Sequence, residues 1–305
     1  MKSILDEILK LKYVHSVELK PGVFTRENDL HPNVRLTKQL LQPIEFQSLA
    51  CLDIGTRDGG IAFLMEKRGA NPVFATDIQV RKQFSLLHQY LKSNIQYITD
   101  CKLYWTEDQL SKLQPNKFDI IVLSGVLYHI YDVLGTLAQM RNLLKSGGLL
   151  IVESACIEST ESSLNYNYNG TFYNEPYTYW LPTTACLRQL LTLCSFEPLA
   201  ELKDKVNPVY GDVVRYALTA RAVKPSIAFN GNDWMKSRLD MVYGQDYANA
   251  IEYPLNYTVL ESDEHSNHVP YDKIINPPNY HDGVMGIRDH IKRKLKYMFG
   301  RNNQN

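Results

Sequence analysis

Apolar positions in this chain fall into two alternating patterns, short continuous runs and segments with helix spacing. Near-continuous runs occur at Cys51–Ile54, in the segment leading to Asp77, and at Phe118–Leu123 and Leu149–Glu153, and Ile95–Ile98 is a further short strand candidate. Between them, apolar residues recur at three- and four-residue spacing over Ile61–Arg68, Lys82–Lys92 and Leu134–Leu144. Runs without polar alternation are the mark of parallel strands covered on both faces, and strands alternating with helices predict a doubly wound α/β fold. A further helix is expected from Thr183 or Thr184 to Cys194, with one of the threonines as N-cap. Two more strands, Phe196–Leu202 and Val213–Thr219, flank turn residues Asn207-Pro208 and Gly211-Asp212. Ahead of the first strand, Ile4, Leu5, Ile8 and Leu9 mark one helix and Val34–Leu41 a second. Pro21-Gly22 and His31-Pro32 mark turns between them.

The first βα unit, Cys51 to Asp77, carries the chemistry. A strand ends in Asp53-Ile54-Gly55, a turn follows through Thr56, Arg57 and Asp58 to Gly59-Gly60, and a helix and second strand lead to Asp77, followed by Ile78. Glycine tolerates the positive φ of such a turn and lets a ligand approach the backbone. A carboxylate at the tip of the second strand, 22 residues past Gly55, is placed to accept hydrogen bonds from two ribose hydroxyls. A dinucleotide fold wants G-x-G-x-x-G and a pyrophosphate at the helix N-terminus. The spacing here differs, and Asp53 would repel a pyrophosphate while suiting a cation, so a dehydrogenase is disfavoured.

The string D-I-G-T-x-D-G-x-x-A-F-x-x-E-x-R-G-A resembles the cofactor loop of class I S-adenosylmethionine-dependent methyltransferases. Arg57 stands where the general pattern has its middle glycine. The K-S-G-G turn at Lys145–Gly148 before a β-branched strand resembles the same superfamily. The resemblance implies S-adenosyl-L-methionine as cofactor and a Rossmann-like, seven-stranded, mostly parallel sheet finished by an antiparallel hairpin. It implies a methyltransferase domain over 48–223, with 1–47 as a helical lid or wall and 224–305 as an irregular C-terminal appendage. Asp53, Gly55, Thr56, Arg57, Gly59, Asp77, Ile78 and Ser124 are then the expected cofactor residues. Glu107 or Asp108 would accept the adenine amino group, with Tyr104 or Trp105 stacking beside it.

Ser124-Gly125-Val126-Leu127-Tyr128-His129 follows the fourth core strand, where ligands bind open α/β sheets. His129 is the candidate base and Tyr128 a candidate lining residue of the methyl channel. Residues 159–182 form an aromatic insert, with Asn165–Trp180 reading NYNYNGTFYNEPYTYW. Rings with polar tips make a wall that is apolar and still hydrogen-bonds a ligand, which points to Tyr173, Tyr179 and Trp180 as substrate residues. The stretch G-V-L-Y-H, the helix after it, K-S-G-G and Tyr179–Thr183 together resemble the tRNA wobble-uridine carboxymethyltransferases, which use carboxy-S-adenosylmethionine. In that family the tyrosine of V-L-Y-H helps to bind the extra carboxylate, a role that would fall on Tyr128. The aromatic insert and the D-I-G-T-R-D-G loop look more like small-molecule methyltransferases of natural-product pathways.

Charge separates the two branches. Lys plus Arg equals Asp plus Glu at 33 each, so there is no global pull on nucleic acid, which usually binds a positive excess. The expected reaction is O-methylation of a small-molecule hydroxyl. The alternatives are methyl or carboxymethyl transfer to a tRNA wobble uridine, and a noncatalytic cofactor-binding partner protein. Five scattered cysteines without C-x-x-C spacing read as free thiols of a reducing cytoplasm. The first residues lack a signal-peptide core and no run of 18 apolar residues occurs, so a cytoplasmic protein without a membrane span is expected. In the last eighty residues, helical patterns cover Trp234–Val242 and Val284–Phe299, the second strongly basic and read as a solvated face. His265 and His268, near Asp263, Glu264 and His281, lack helical context, and no metal is expected there.

Overall fold

The computed structural model describes residues 4–29, 31–101, 112–113, 117–174, 177–205 and 212–223. Glu107 and its neighbours Tyr104, Trp105 and Asp108, the turn at Asn207-Pro208 and Gly211, and everything from residue 224 onward lie outside these residues. The histidines at 265, 268 and 281, the two C-terminal helical patterns and the rest of the appendage are therefore not described.

The chain begins with α1 (Ile4–Ile8), a small hairpin of β1 (Glu18–Lys20) and β2 (Val23–Phe24), and α2 (Pro32–Leu41). The doubly wound part follows as β3 (Cys51–Ile54), α3 (Gly60–Lys67), β4 (Val73–Thr76), α4 (Lys82–Leu91) and β5 (Gln96–Ile98). Then come β6 (Phe118–Ser124), a single 3₁₀ turn (Leu127–His129), α5 (Val133–Leu143) and β7 (Leu144–Ile157). A short pair, β8 (Leu164–Tyr166) and β9 (Trp180–Pro182), precedes α6 (Thr184–Leu193), β10 (Phe196–Lys205) and β11 (Val213–Ala222).

The seven-stranded sheet has the order β10-β11-β7-β6-β3-β4-β5. Its five strands from β7 to the edge strand β5 are parallel, and β11 runs antiparallel to both of its neighbours. The fold expected from the sequence, a Rossmann-like α/β sheet closed by an antiparallel hairpin, is thus observed. Three elements run differently from the apolar pattern. β7 starts at Leu144 and takes in the whole K-S-G-G turn, with a register irregularity opposite Phe118 to Ile120. The final hairpin strands are ten residues each. The aromatic stretch also contains a strand pair, whose alternating polar and aromatic residues hide a period of two.

Both faces of the sheet are covered, which explains its nearly unbroken apolar strands. Leu150 and Val152 of β7 join one buried cluster with α5 and α6, through Leu137, Met140, Leu187 and Leu191. Leu149 and Ile151 turn to the other face and join α2, α3 and α4, through Val34, Leu40, Met65 and Leu87. Ile8, Tyr13, Val17 and Leu19 of the N-terminal segment lie in that same second cluster. Thr183 caps α6 by accepting a hydrogen bond from Cys186 N, and Asp132 caps α5 by accepting one from Gly135 N.

A buried charge pair joins β7 to β11 within this core. Glu153 of β7 is 0% exposed and Arg215 of β11 is 5% exposed. They form a two-pronged pair, with Arg215 Nε and a terminal nitrogen donating to the two Glu153 oxygens at 2.6 and 2.7 Å. Burial works to lower the arginine pKa, but the facing carboxylate more than offsets it, and the pKa stands above the usual arginine value. Breaking one side of such a pair strands a buried charge. Glu153→Ala is expected to destabilise the fold by about 3–5 kcal/mol, while replacing both members by methionine should recover most of that loss. Urea unfolding of the two variants and the parent checks both.

Candidate active site

Parallel pairing sets Ile54 of β3 opposite Thr76 of β4 and Leu123 of β6, so the three strands end at one edge of the sheet. Chain connections run outward in opposite directions from β3 and β6, making their junction the switch point at which doubly wound sheets bind ligands. Gly55, Asp77 and Gly125, each directly after one of these strands, therefore lie around one crevice.

The turn after β3 is held by its own N–H groups. Gly55 N and Thr56 N both donate to Thr76 O at 2.9 Å, and Gly59 N donates to Thr56 O at 2.8 Å. Arg57 N donates to Asp77 Oδ2 at 3.0 Å, and Gly60 N donates to His15 Nδ1 at 3.0 Å. A phosphate-binding turn needs such N–H groups aimed outward at its ligand. Here they are spent on the protein, and what the turn offers instead is carboxylate. Asp53 and Asp77 are 3% and 5% exposed.

Glycine is required at two points by conformation and packing together. Gly55 has φ +70°, and a Cβ there would stand 2.5 Å from Val126. Gly59 has φ +89°, and its Cβ would meet Phe63 and Phe84, the latter at 2.7 Å. The bare faces of both glycines are thus filled by neighbouring side chains of the protein itself. Arg57, at the position of the missing middle glycine, adopts the left-handed region with φ 52°. Its side chain points outward, half exposed and 3.9 Å from Asp58.

Asp53 accepts a hydrogen bond from Thr56 Oγ1 at 2.7 Å. Burial pushes its pKa up to about 7, with the Thr56 hydroxyl working against the shift and Asp77 adding to it. Asp77 Oδ1 faces Gln79 N at 3.3 Å and Arg81 Nε at 3.6 Å. A carboxylate has about four lone-pair sites, so a partly used Asp77 at the tip of β4 still suits the hydroxyl pair of a ribose. Ile78 beside it is exposed at 57%, an apolar surface next to that carboxylate.

The N-terminal segment supplies contacts that the sequence did not reveal. Asp58 accepts from His15 N at 3.1 Å and from Val14 N. Burial pulls the His15 pKa down to about 4 against the upward pull of Asp58, which keeps its imidazole neutral and able to accept from Gly60. At the end of β6, Ser124 Oγ meets Thr37 Oγ1 of α2 at 2.7 Å. Neither His15 nor Thr37 had a motif around it, and only contact across the fold brings them here.

The second half of the site is aromatic. Tyr128 is buried, with the Arg215 guanidinium 4.8 Å from its ring centre and Tyr173 edge-on at 6.4 Å. The insert is fastened to residues 128–131. Tyr179 N donates to Tyr128 O at 2.8 Å, His129 Nδ1 meets Tyr177 O at 2.9 Å, and Trp180 Nε1 donates to Tyr131 O at 3.0 Å. Tyr179 stacks on Tyr131 at 4.0 Å, and Trp180 leans on Tyr166 at 5.3 Å. Buried Asn167 ties the insert together, donating to Tyr173 O and Thr178 O and accepting from Phe172 N and Tyr173 N. A carbonyl can only accept, so His129 donates through Nδ1 and its neutral ring carries the lone pair on Nε2.

The expected residues thus fall into two groups at one sheet edge, Asp53, Gly55, Thr56, Arg57, Gly59 and Asp77 on one side, and Tyr128, His129, Tyr173 and Tyr179 on the other, with Ser124 at the end of β6. Trp180 packs behind the second group on Tyr166, and Glu107 lies outside the described residues. Among the described residues no group of His, Cys, Asp and Glu could hold a metal ion, and no helix is long and apolar enough to cross a membrane.

A family described as a methyltransferase domain matches residues 26–207, more than half of the chain. The chain belongs to this methyltransferase family. The methyl donor that goes with it is S-adenosylmethionine, and the acceptor-lined turn fits the cationic end of that cofactor. The tRNA U34 carboxymethyltransferase of Campylobacter fetus is 26% identical over 187 residues, covering 60% of this chain and 59% of that protein. Its Campylobacter jejuni counterpart is 28% identical over 210 residues, covering 66% and 68%. The chain spans about 60% of the length of the first of these curated relatives. Among solved structures, a candidate sarcosine dimethylglycine methyltransferase from Galdieria sulphuraria superposes with TM-score 0.50 at 13% identity, over 65% of this chain and 87% of that one. The Burkholderia thailandensis 1,6-didemethyltoxoflavin-N1-methyltransferase gives TM-score 0.46 at 22% identity, over 63% and 76%.

Asp53 sets a pH test. Its folded pKa near 7 lies above the ordinary carboxylate value, so the folded state holds its proton more tightly than the unfolded chain. Its contribution to stability is full below pH ~4 and is lost as pH rises toward 7, at up to about 1.4 kcal/mol per pH unit. His15, with a lowered pKa, gives the opposite slope between pH ~4 and ~6.5. Comparing Asp53→Asn with the parent by denaturant unfolding between pH 4 and 7.5 isolates the first term. The variant is expected to lose less stability than the parent as pH rises.

Proposed function

We propose that this methyltransferase transfers the methyl group of S-adenosylmethionine to a hydroxyl of a small molecule. His129 supports the reading most directly. Its Nδ1–H is committed to Tyr177 O at 2.9 Å, which sets the tautomer whose Nε2 can take a proton from an acceptor. In this reading Asp53, Gly55, Thr56, Arg57, Asp77, Ile78 and Ser124 bind the cofactor. Asp77 accepts the ribose hydroxyls and Ile78 covers the adenine. The sulfonium supplies the electrophilic methyl group, and the chain's own work is to align the acceptor in line with it, exclude water and remove the proton. Tyr128, Tyr173 and Tyr179 would wall the acceptor pocket with aromatic faces, and Trp180 would hold that wall from behind. Enclosure by tyrosines and a chain without net charge suit a compact neutral acceptor better than a polyanion. A cytoplasmic setting agrees with the five buried free thiols.

A second reading is methyl or carboxymethyl transfer to a tRNA wobble uridine. It draws on the relatives that carry that activity in their names and on the Arg215 guanidinium 4.8 Å from the Tyr128 ring, a cation close to the tyrosine that the resemblance assigns to a cofactor carboxylate.

Calorimetric titration with S-adenosylhomocysteine, then with tRNA at two salt concentrations, separates the readings. Micromolar binding of the nucleoside without a tRNA signal supports the first, and strong, salt-weakened tRNA binding supports the second. Asp77→Ala is expected to weaken S-adenosylhomocysteine by roughly 1.5–3 kcal/mol, and unchanged affinity would refute its ribose role. With an acceptor found by screening hydroxylated compounds for S-adenosylhomocysteine release, His129→Ala should lower kcat by about 10²–10⁴-fold while cofactor affinity stays near that of the parent. Normal turnover would remove His129 as the base.

A further inference from the structure

Asn33 of α2 has its side-chain oxygen fully buried and without a hydrogen-bond partner. Buried acceptors are nearly always paired in folded proteins, so an orphan at a ligand-binding edge points to a missing donor. The same amide lies against Gly125, the residue directly after β6. A Cβ added there would stand 2.6 Å from Asn33 Nδ2, and Gly125 itself has φ +70°. Asn33 therefore borders the crevice from the N-terminal segment, beside the end of β6.

A second acceptor is set by Thr37, one helical turn along α2. Thr37 Oγ1 donates to Asn33 O at 2.8 Å and also meets Ser124 Oγ at 2.7 Å. A threonine hydroxyl has one proton, and the carbonyl can only accept. The Ser124 hydroxyl must then donate to Thr37, which leaves Ser124 Oγ as an acceptor toward anything further. The end of β6 thus gathers two acceptors, Asn33 Oδ1 and Ser124 Oγ. The nearest cation, Arg215, 3.8 Å from the same point above Gly125, is matched by Glu153. A donor-rich, positively charged group of small size fits this setting, and a primary ammonium with three N–H donors is such a group.

We infer that Asn33 accepts a hydrogen bond from the α-ammonium of the cofactor's amino-acid portion and so orients the methyl donor. The inference rests on the assignment of this crevice to S-adenosylmethionine. Asn33 is held in place for the task by Pro32 at the start of α2 and by two ion pairs along the helix, Arg35 with Asp204 and Lys38 with Asp29.

The test is calorimetry on the full chain with two ligands, S-adenosylhomocysteine and 5′-methylthioadenosine, which keeps the nucleoside and thioether but has no amino-acid portion. Asn33→Leu, close in size but without an acceptor, should weaken S-adenosylhomocysteine by about 10- to 100-fold and leave methylthioadenosine affinity as in the parent. Asn33→Asp, which keeps an acceptor oxygen, should bind S-adenosylhomocysteine at least as well as the parent. Equal weakening of both ligands, or no change in either, would overturn the inference and leave Asn33 a packing residue. If Asn33→Leu does not fold, Asn33→Ser is put through the same two titrations with the same pair of outcomes. Failure of the parent itself to bind S-adenosylhomocysteine would overturn the cofactor assignment and the role of Asn33 with it.

Discussion

The turn between β3 and α3 keeps its N–H groups for the protein, and much of the site follows from that constraint. Gly55 and Thr56 are tied to Thr76, Arg57 to Asp77, and Gly60 to His15. A turn so engaged cannot cradle a phosphate, because the donors that would do so are already bonded. What remains along the crevice is oxygen: two buried carboxylates, the end of β6 and the amide of Asn33. An acceptor-rich crevice selects donors and cations, and S-adenosylmethionine presents ribose hydroxyls, an ammonium and a sulfonium. The hydrogen-bond polarity of the turn is therefore a stronger argument against a phosphate ligand than glycine spacing alone.

The other half of the site is organised by a charge pair. Glu153 and Arg215 sit on adjacent antiparallel strands of the core, and the guanidinium lies over the Tyr128 ring. The ring face gains from the cation, while Glu153 keeps that cation from dominating the crevice. Residues 128–131, from the 3₁₀ turn with Tyr128 and His129 to Tyr131, are in turn the anchoring rail for the aromatic insert, through Tyr177, Tyr179 and Trp180. The insert is thus clamped by main-chain and ring hydrogen bonds, so its aromatic faces can be presented without each ring having to be buried in the core.

The sheet was legible because its strands are covered on both sides. Continuous runs such as Phe118–Leu123 have no other stable home, and the order of runs and helices leaves few topologies. Asp53, Gly55 and Asp77 were legible for a related reason, since strand ends and glycine turns fix where a βα unit meets its ligand. His15, Asn33, Thr37 and Asp58 were not, because each acts across the fold on partners 43 to 92 residues away in sequence. The strand pair β8–β9 escaped notice because its strands are only three residues each and the stretch between them is held by Asn167 rather than by a regular ladder. Charged residues inside apolar strands were a usable signal that the apolar pattern passed over. Glu153 and Arg215 each interrupt a buried run, and two opposite charges in neighbouring core strands have little choice but to meet.

The position of the N-terminal segment bears on how the site assembles. Val14 and His15 bond the turn after β3, while Asn33 and Thr37 of α2 reach the end of β6. The same stretch buries Val17, Leu19, Val34 and Leu40 in the cluster that covers one face of the sheet. A segment that contributes both to the core and to two sides of the crevice cannot swing away without exposing apolar surface and releasing Gly60 N–H and the Asp58 carboxylate. Ligand entry by wholesale opening of residues 4–41 would therefore carry the cost of partial unfolding. The aromatic insert, held mainly by hydrogen bonds and leaving Tyr166, Tyr168 and Tyr177 exposed, is the cheaper element to displace. The insert side of the crevice is accordingly the yielding side, and the side built by the N-terminal segment the rigid one.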